Sequence, residues 1–170
     1  MKIAILGLGP SLSLFNPVEF DLSIGVNDIW ARVKTDIVVC LDARSSFKPQ
    51  RLEVIENCRP QKFYSQIINY DTHPGFELIK LASYYPDKFC VLDIPEINKS
   101  LCSPFVACGI AYKYYNPSEI HLFGVDLTGH AHFDSKQLER IKLHFQNLKL
   151  ALQNKGCELV VHGDGYLKGL

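Results

Sequence analysis

Residues 3–6 read Ile-Ala-Ile-Leu, an unbroken apolar run that enters Gly7-Leu8-Gly9-Pro10-Ser11-Leu12. A strand with one wet face alternates apolar and polar side chains, whereas a run with no polar member needs cover on both faces. Candidate strands fall at Ile3 to Leu6, Leu22 to Val26, Ile37 to Leu41, Lys62 to Ser65, Phe89 to Leu92, Ile120 to Phe123 and Leu159 to Val161, and several are continuous apolar runs. Separated by loops and helical stretches, such strands pair in parallel through right-handed crossovers. The expected class is α/β: a single Rossmann-like domain over residues 1–170, its sheet mostly parallel, with helices on both faces.

Two helices are marked by their ends as well as their periodicity. Asp134 followed by Gln137 makes a capping box, Leu138, Ile141, Phe145, Leu148 and Leu152 follow at helical spacing, and Gly156 supplies the stop. A second helix is expected to start at Ser103-Pro104, with the serine as cap, to bury Val106, Ala111 and Tyr115 or their neighbours, and to end at Asn116-Pro117. Between Ala43 and Ser100 local signals are weakest. There the pattern predicts a helix over Phe76 to Tyr85 and an exposed loop over Pro95 to Ser100.

Composition narrows the partners. Eighteen basic residues balance eighteen acidic ones, so no global field draws in nucleic acid or an anionic membrane. Any anion must be held by a local site. The apolar run at residues 3–6 is too short for a secretory leader, and no stretch approaches the ~20 residues of a membrane span. A cytoplasmic protein is expected. None of the six cysteines forms a CxxC pair. Cys40, Cys90 and Cys157 lie in or beside predicted strands and Cys108 in a predicted helix, positions for reduced, buried thiols rather than disulfides or zinc ligands.

Polar residues gather at the predicted C-terminal ends of strands, where open α/β sheets place ligands. The first strand ends in Gly7-Leu8-Gly9-Pro10-Ser11, the second in Asn27-Asp28, the third in Asp42, and a later one in Gly124-Val125-Asp126. Two glycines after a strand suit a turn whose backbone approaches a phosphate; they equally suit a strand-to-helix turn that needs glycine for its own sake. A dinucleotide fingerprint would have a third glycine where Leu12 stands.

The order GLGPSL, a strand ending in asparagine, SP before a helix, then EIHLFGVDL resembles a superfamily with two branches. One comprises bacterial lipooligosaccharide sialyltransferases, which use CMP-sialic acid; the other comprises 6-hydroxymethylpterin diphosphokinase-like proteins, with small phage-borne relatives. The resemblance implies that Gly7, Gly9, Pro10 and Ser11 form the nucleotide-phosphate turn. It implies that Asn27 contacts nucleotide and donor, and that Ser103 approaches the base. The sialyltransferases carry asparagine where Leu8 and Asp42 stand, and a longer segment after Asp126. Asp42 is more similar to the diphosphokinase branch, in which it and Asp126 would hold Mg²⁺ on ATP or GTP.

Most of the six histidines take a structural reading, among them His121 in a predicted strand, His144 in a predicted helix and His162 near the C-terminus. His130 and His132, in the loop between Asp126 and the capped helix, are the exceptions. A histidine there implies, by the resemblance, a general base for the acceptor hydroxyl, as its near-neutral pKa permits. Three functions follow: a transferase using a CMP-sugar and a small hydroxyl acceptor, a metal-dependent diphosphokinase, or a non-catalytic nucleotide-binding or assembly module, with a homo-oligomer as one expected form. The metal-ligand set is left open.

Overall fold

In a computed structural model of the chain, residues 1–128 and 133–170 are described. Seven strands form one sheet: β1 (Lys2–Leu6), β2 (Leu22–Val26), β3 (Ile37–Val39), β4 (Lys62–Ser65), β5 (Phe76–Leu78), β6 (Glu119–Phe123) and β7 (Glu158–Val161). Their order is β5-β4-β3-β2-β1-β6-β7, and every pairing is parallel. The chain builds outward from β1 to one edge, then returns to its other flank at β6. The direction of winding therefore reverses between β1 and β6, at the carboxyl ends of which such sheets open a crevice.

Strand alternation divides the core in two. Ile3, Ile5, Ile24, Val26, Ile120 and Leu122 face α2 (Ser103–Tyr115) and α3 (Ser135–Gln153). Ala4, Leu6, Val38 and Phe63 face the other way, against Ile55 of α1 (Pro49–Asn57) and a row of short 3-10 turns. Helices thus lie on both faces. Apolar on all sides from Phe105 to Ala111, α2 is buried there throughout. By contrast, α3 buries only the stripe Ile141, Phe145, Leu148 and Leu152, together with His144. The capping box at Asp134 and Gln137 is formed in both directions.

The middle of the chain departs from the expectation. Instead of a helix over Phe76 to Tyr85, Phe76–Leu78 pairs with the free edge of β4, and Leu81 bridges Ile97. Ladder bonds offered by the preceding strand outweigh local helical preference here. Phe89 to Leu92 is not a strand. Pro95 to Ser100 is not simply exposed, because Ile97 and Asn98 are only 3% and 4% accessible. Helix α1 carries no apolar stripe strong enough to announce it; Ile55 is its one buried residue.

Polar tethers hold this middle segment to the helices. His144, wholly buried, places Nε2 2.9 Å from Asp87 Oδ1 and Nδ1 3.0 Å from the Ser100 hydroxyl. Burial pushes the His144 pKa down, so the neutral ring donates to Asp87 and accepts from Ser100. Arg140 holds the same carboxylate through two bonds of 2.7 Å. All six cysteines are free thiols, and burial raises Cys40, Cys90 and Cys102 to about 12. No described helix is long and apolar enough to cross a membrane.

Candidate functional site

At the switch point the ends of β1 and β6 are joined by backbone and side chain alike. The Gly7 N–H donates to Phe123 O and the Gly9 N–H to Gly124 O, both at 2.8 Å. The two strands approach so closely that a Cβ on Gly7 would stand 2.4 Å from Gly124 O, and one on Gly124 2.3 Å from Gly7 O. Ser11, 5% exposed, accepts from the Gly124 N–H at 2.8 Å and donates its hydroxyl to Asp126 Oδ2 at 2.9 Å. The same carboxylate oxygen accepts the Ser11 N–H at 3.0 Å. Asp126 is itself 6% exposed, and its carbonyl accepts the Tyr166 N–H at 2.7 Å, which draws the C-terminal segment over the seam.

This wiring explains the residue types before any ligand is considered. A Cβ at Gly9 would lie 2.3 Å from Asp126 Oδ2. Pro10 opens a 3-10 turn, Pro10–Leu14, and has no N–H to offer. The Leu12 N–H bonds Gly9 O. Among the described residues, Leu8 alone in the stretch 7–12 keeps an amide with no protein acceptor.

The rim at the ends of β2 and β3 is different. Asn27 has a left-handed backbone, φ 53°, uncommon for a residue other than glycine. Its N–H donates to Val39 O at 2.9 Å, yet its carboxamide oxygen is buried without a hydrogen-bond partner. An unpaired buried polar atom on a strained residue is costly and clusters at ligand sites. Next to it, Asp28 is held by Arg51 of α1, whose Nε and Nη2 both reach its carboxylate. The field of Asp42 also acts on Arg51, so this guanidinium belongs to the same rim. Sequence reasoning missed Arg51, because α1 itself was not legible.

Asp42 is exposed beyond β3, and its carbonyl accepts the Tyr70 hydroxyl at 3.1 Å. Ser103 is not the cap of α2 but its first residue; Cys102 occupies the cap position and no side chain caps the helix. The Ser103 hydroxyl has no hydrogen bond to a described residue, and the first turn of α2 carries no side-chain cap. His130 and His132 lie outside the described residues.

Asp42 and Asp126 follow β3 and β6, with β2 and β1 between them. Three strand spacings amount to about 14 Å, so a single Mg²⁺ does not span both carboxylates. Among the described residues no group of three or more His, Cys, Asp or Glu is arranged to hold a metal. Asp42 and Asp126 are therefore not placed to share the one Mg²⁺ that the diphosphokinase reading would put on both.

No protein-family model and no curated sequence matches the chain. Its architecture does match an X-ray structure, that of a point mutant of the α-2,3/8-sialyltransferase CstII, with a TM-score of 0.56. The match covers 95% of this chain and 81% of that one, at 16% sequence identity. The fold is sialyltransferase-like. At this identity the similarity speaks for the arrangement of strands and helices and not for individual side chains.

Proposed function

We propose that the protein is a sialyltransferase-like transferase that binds a nucleotide-sugar, a CMP-sugar foremost, over the carboxyl ends of β1, β2 and β3. Asn27 carries the reading: on a sialyltransferase-like fold, a left-handed asparagine beside the switch point keeps a buried carboxamide oxygen without a partner. In this reading Asn27, the Leu8 amide and the Ser103 hydroxyl contact the nucleotide, and Arg51 supplies positive charge near its phosphate. The seam of Gly7, Gly9, Ser11 and Asp126 sets the floor. His132 or His130 takes the acceptor proton as the acceptor oxygen bonds the anomeric carbon, and the carbon–phosphate-oxygen bond breaks to release CMP. That role for the histidines rests on their place in the sequence.

Calorimetric titration with CMP, GTP and ATP, with and without Mg²⁺, tests the proposal. CMP is expected to bind without metal, and Asn27→Ala to lose roughly 0.5–1.5 kcal/mol of that affinity, the worth of a bond from a neutral donor of the nucleotide to the carboxamide oxygen. A requirement for GTP or ATP with Mg²⁺ would replace this reading by the diphosphokinase one. Binding of CMP without turnover of a CMP-sugar, in wild type as in His132→Ala, would leave the protein a nucleotide-binding module.

A further inference from the structure

On the α1 side of the sheet, beyond the Asp42 end of the rim, lies a cavity of about 310 Å³ lined by residues that include Arg44, Glu56, Arg59, Thr72 and His73. Three separate stretches of chain converge there. Arg44 opens the 3-10 turn after β3, Glu56 and Arg59 stand at the end of α1, and Thr72 and His73 precede β5. None of these residues takes part in the rim or the seam.

The groups are short of partners. His73 is only 6% exposed and its ring stacks on Phe63 at a centroid distance of 4.1 Å. Its Nδ1 is buried with no hydrogen bond to any described residue. Arg44 Nε is buried and unbonded in the same sense, and its guanidinium lies 5.5 Å from the Tyr70 ring. The Glu56 carboxylate stands 3.6 Å from Arg44 Nε, within ion-pair range but beyond a direct hydrogen bond. Arg59 is fixed through Nη1, which donates to the carbonyls of Glu56 and Cys58 at 2.8 and 2.7 Å. Burial, then Arg59, then Arg44 push the His73 pKa down, so the ring is neutral at pH 7 and keeps both a donor and an acceptor nitrogen.

We propose that this cavity is an oxyanion site for a phosphate group, free or as a monoester, with Arg44 and Arg59 as its charge partners and His73 as its hydrogen-bond partner. Two cations against one carboxylate leave the cavity with a net positive charge. Guanidinium groups match the oxygens of a tetrahedral anion through paired N–H bonds. The volume exceeds the roughly 30 Å³ share of one water many times over, so an anion fits together with part of its hydration. Glu56 opposes the ligand, and an arriving anion displaces it from Arg44.

The His73 ring is a local reporter, which separates this site from phosphate binding at the rim. In protein labelled at its histidine rings, the His73 signals are followed by NMR against inorganic phosphate, methyl phosphate and acetate at constant ionic strength. A saturable shift with either phosphate is expected. Arg59→Gln should raise the midpoint ~tenfold or more, as loss of a charge-assisted pair does. Glu56→Gln, an exposed change that leaves α1 intact, should lower it several-fold by removing the competing carboxylate. Asn27→Ala should leave it unmoved. Absence of a saturable shift, an unchanged midpoint in Glu56→Gln, or acetate binding as tightly as phosphate would overturn the proposal.

Discussion

The β1/β6 seam and the β2/β3 rim occupy the same edge of one sheet and are built on opposite plans. At the seam the amides of Gly7, Gly9 and Ser11 are bonded within the protein, and Asp126 and Ser11 complete each other. At the rim Asn27 holds a left-handed backbone and a buried, unpaired oxygen, and Asp42 is exposed. The contrast separates two roles that glycine-rich strand ends are often given together. The glycines here hold two strands in close approach, and the buried side-chain oxygen without a partner lies one strand away, at Asn27.

The largest expected effect breaks the contrast if it fails. In Gly9→Val a branched side chain enters where even a Cβ would stand 2.3 Å from Asp126 Oδ2. Denaturant unfolding should show a loss of about 3 kcal/mol or more, as overpacking combined with a broken buried network costs. Wild-type stability with nucleotide binding lost would return the glycine to the ligand. Ser11→Ala comes next. It leaves the Gly124 N–H and one side of Asp126 short of partners, for a loss of about 2–3 kcal/mol in stability.

Asn27→Ala should invert that pattern, reducing nucleotide affinity while costing only about 1 kcal/mol of stability through the left-handed backbone. Equal losses of stability and affinity in Ser11→Ala and Asn27→Ala would erase the difference between seam and rim.

The smallest effect concerns acid and lies outside both regions. Burial lowers the pKa of His73, His144 and His162 below the ordinary 6.5, so the folded protein binds these protons less readily than the unfolded chain. Stability is therefore full above about pH 6.5 and falls as pH drops from there toward the folded values. Asp87, held below the usual carboxylate range by Arg140 and His144, adds a loss of the same sign at lower pH. Urea midpoints measured at stepwise lower pH should fall from pH 6.5 downward in wild type, and less steeply in His144→Gln. A flat profile would contradict the neutral state of these rings.

Legibility in the sequence followed the range of the forces. The apolar runs of β1, β3 and β7 and the caps of α3 are short-range signals, since covered strands must be apolar and a helix end must be satisfied within one turn. Segment 76–100 carries no comparable signal. Its course is set by the free edge of β4, by Leu81 meeting Ile97, and by Asp87 and Ser100 tied to His144, contacts that no window of sequence contains.

The candidate site divides in the same way. By itself the sequence determined that polar residues and glycines end the core strands, because apolar runs stop abruptly at Gly7, Asn27 and Gly124. Only the tertiary structure decided what each of them does. Ser11 and Asp126 are 115 residues apart, and hydrogen bonds between them exist only once β6 lies beside β1. Whether a polar group at a strand end is satisfied or left open depends on which strand becomes its neighbour, and strand order is a property of the assembled sheet.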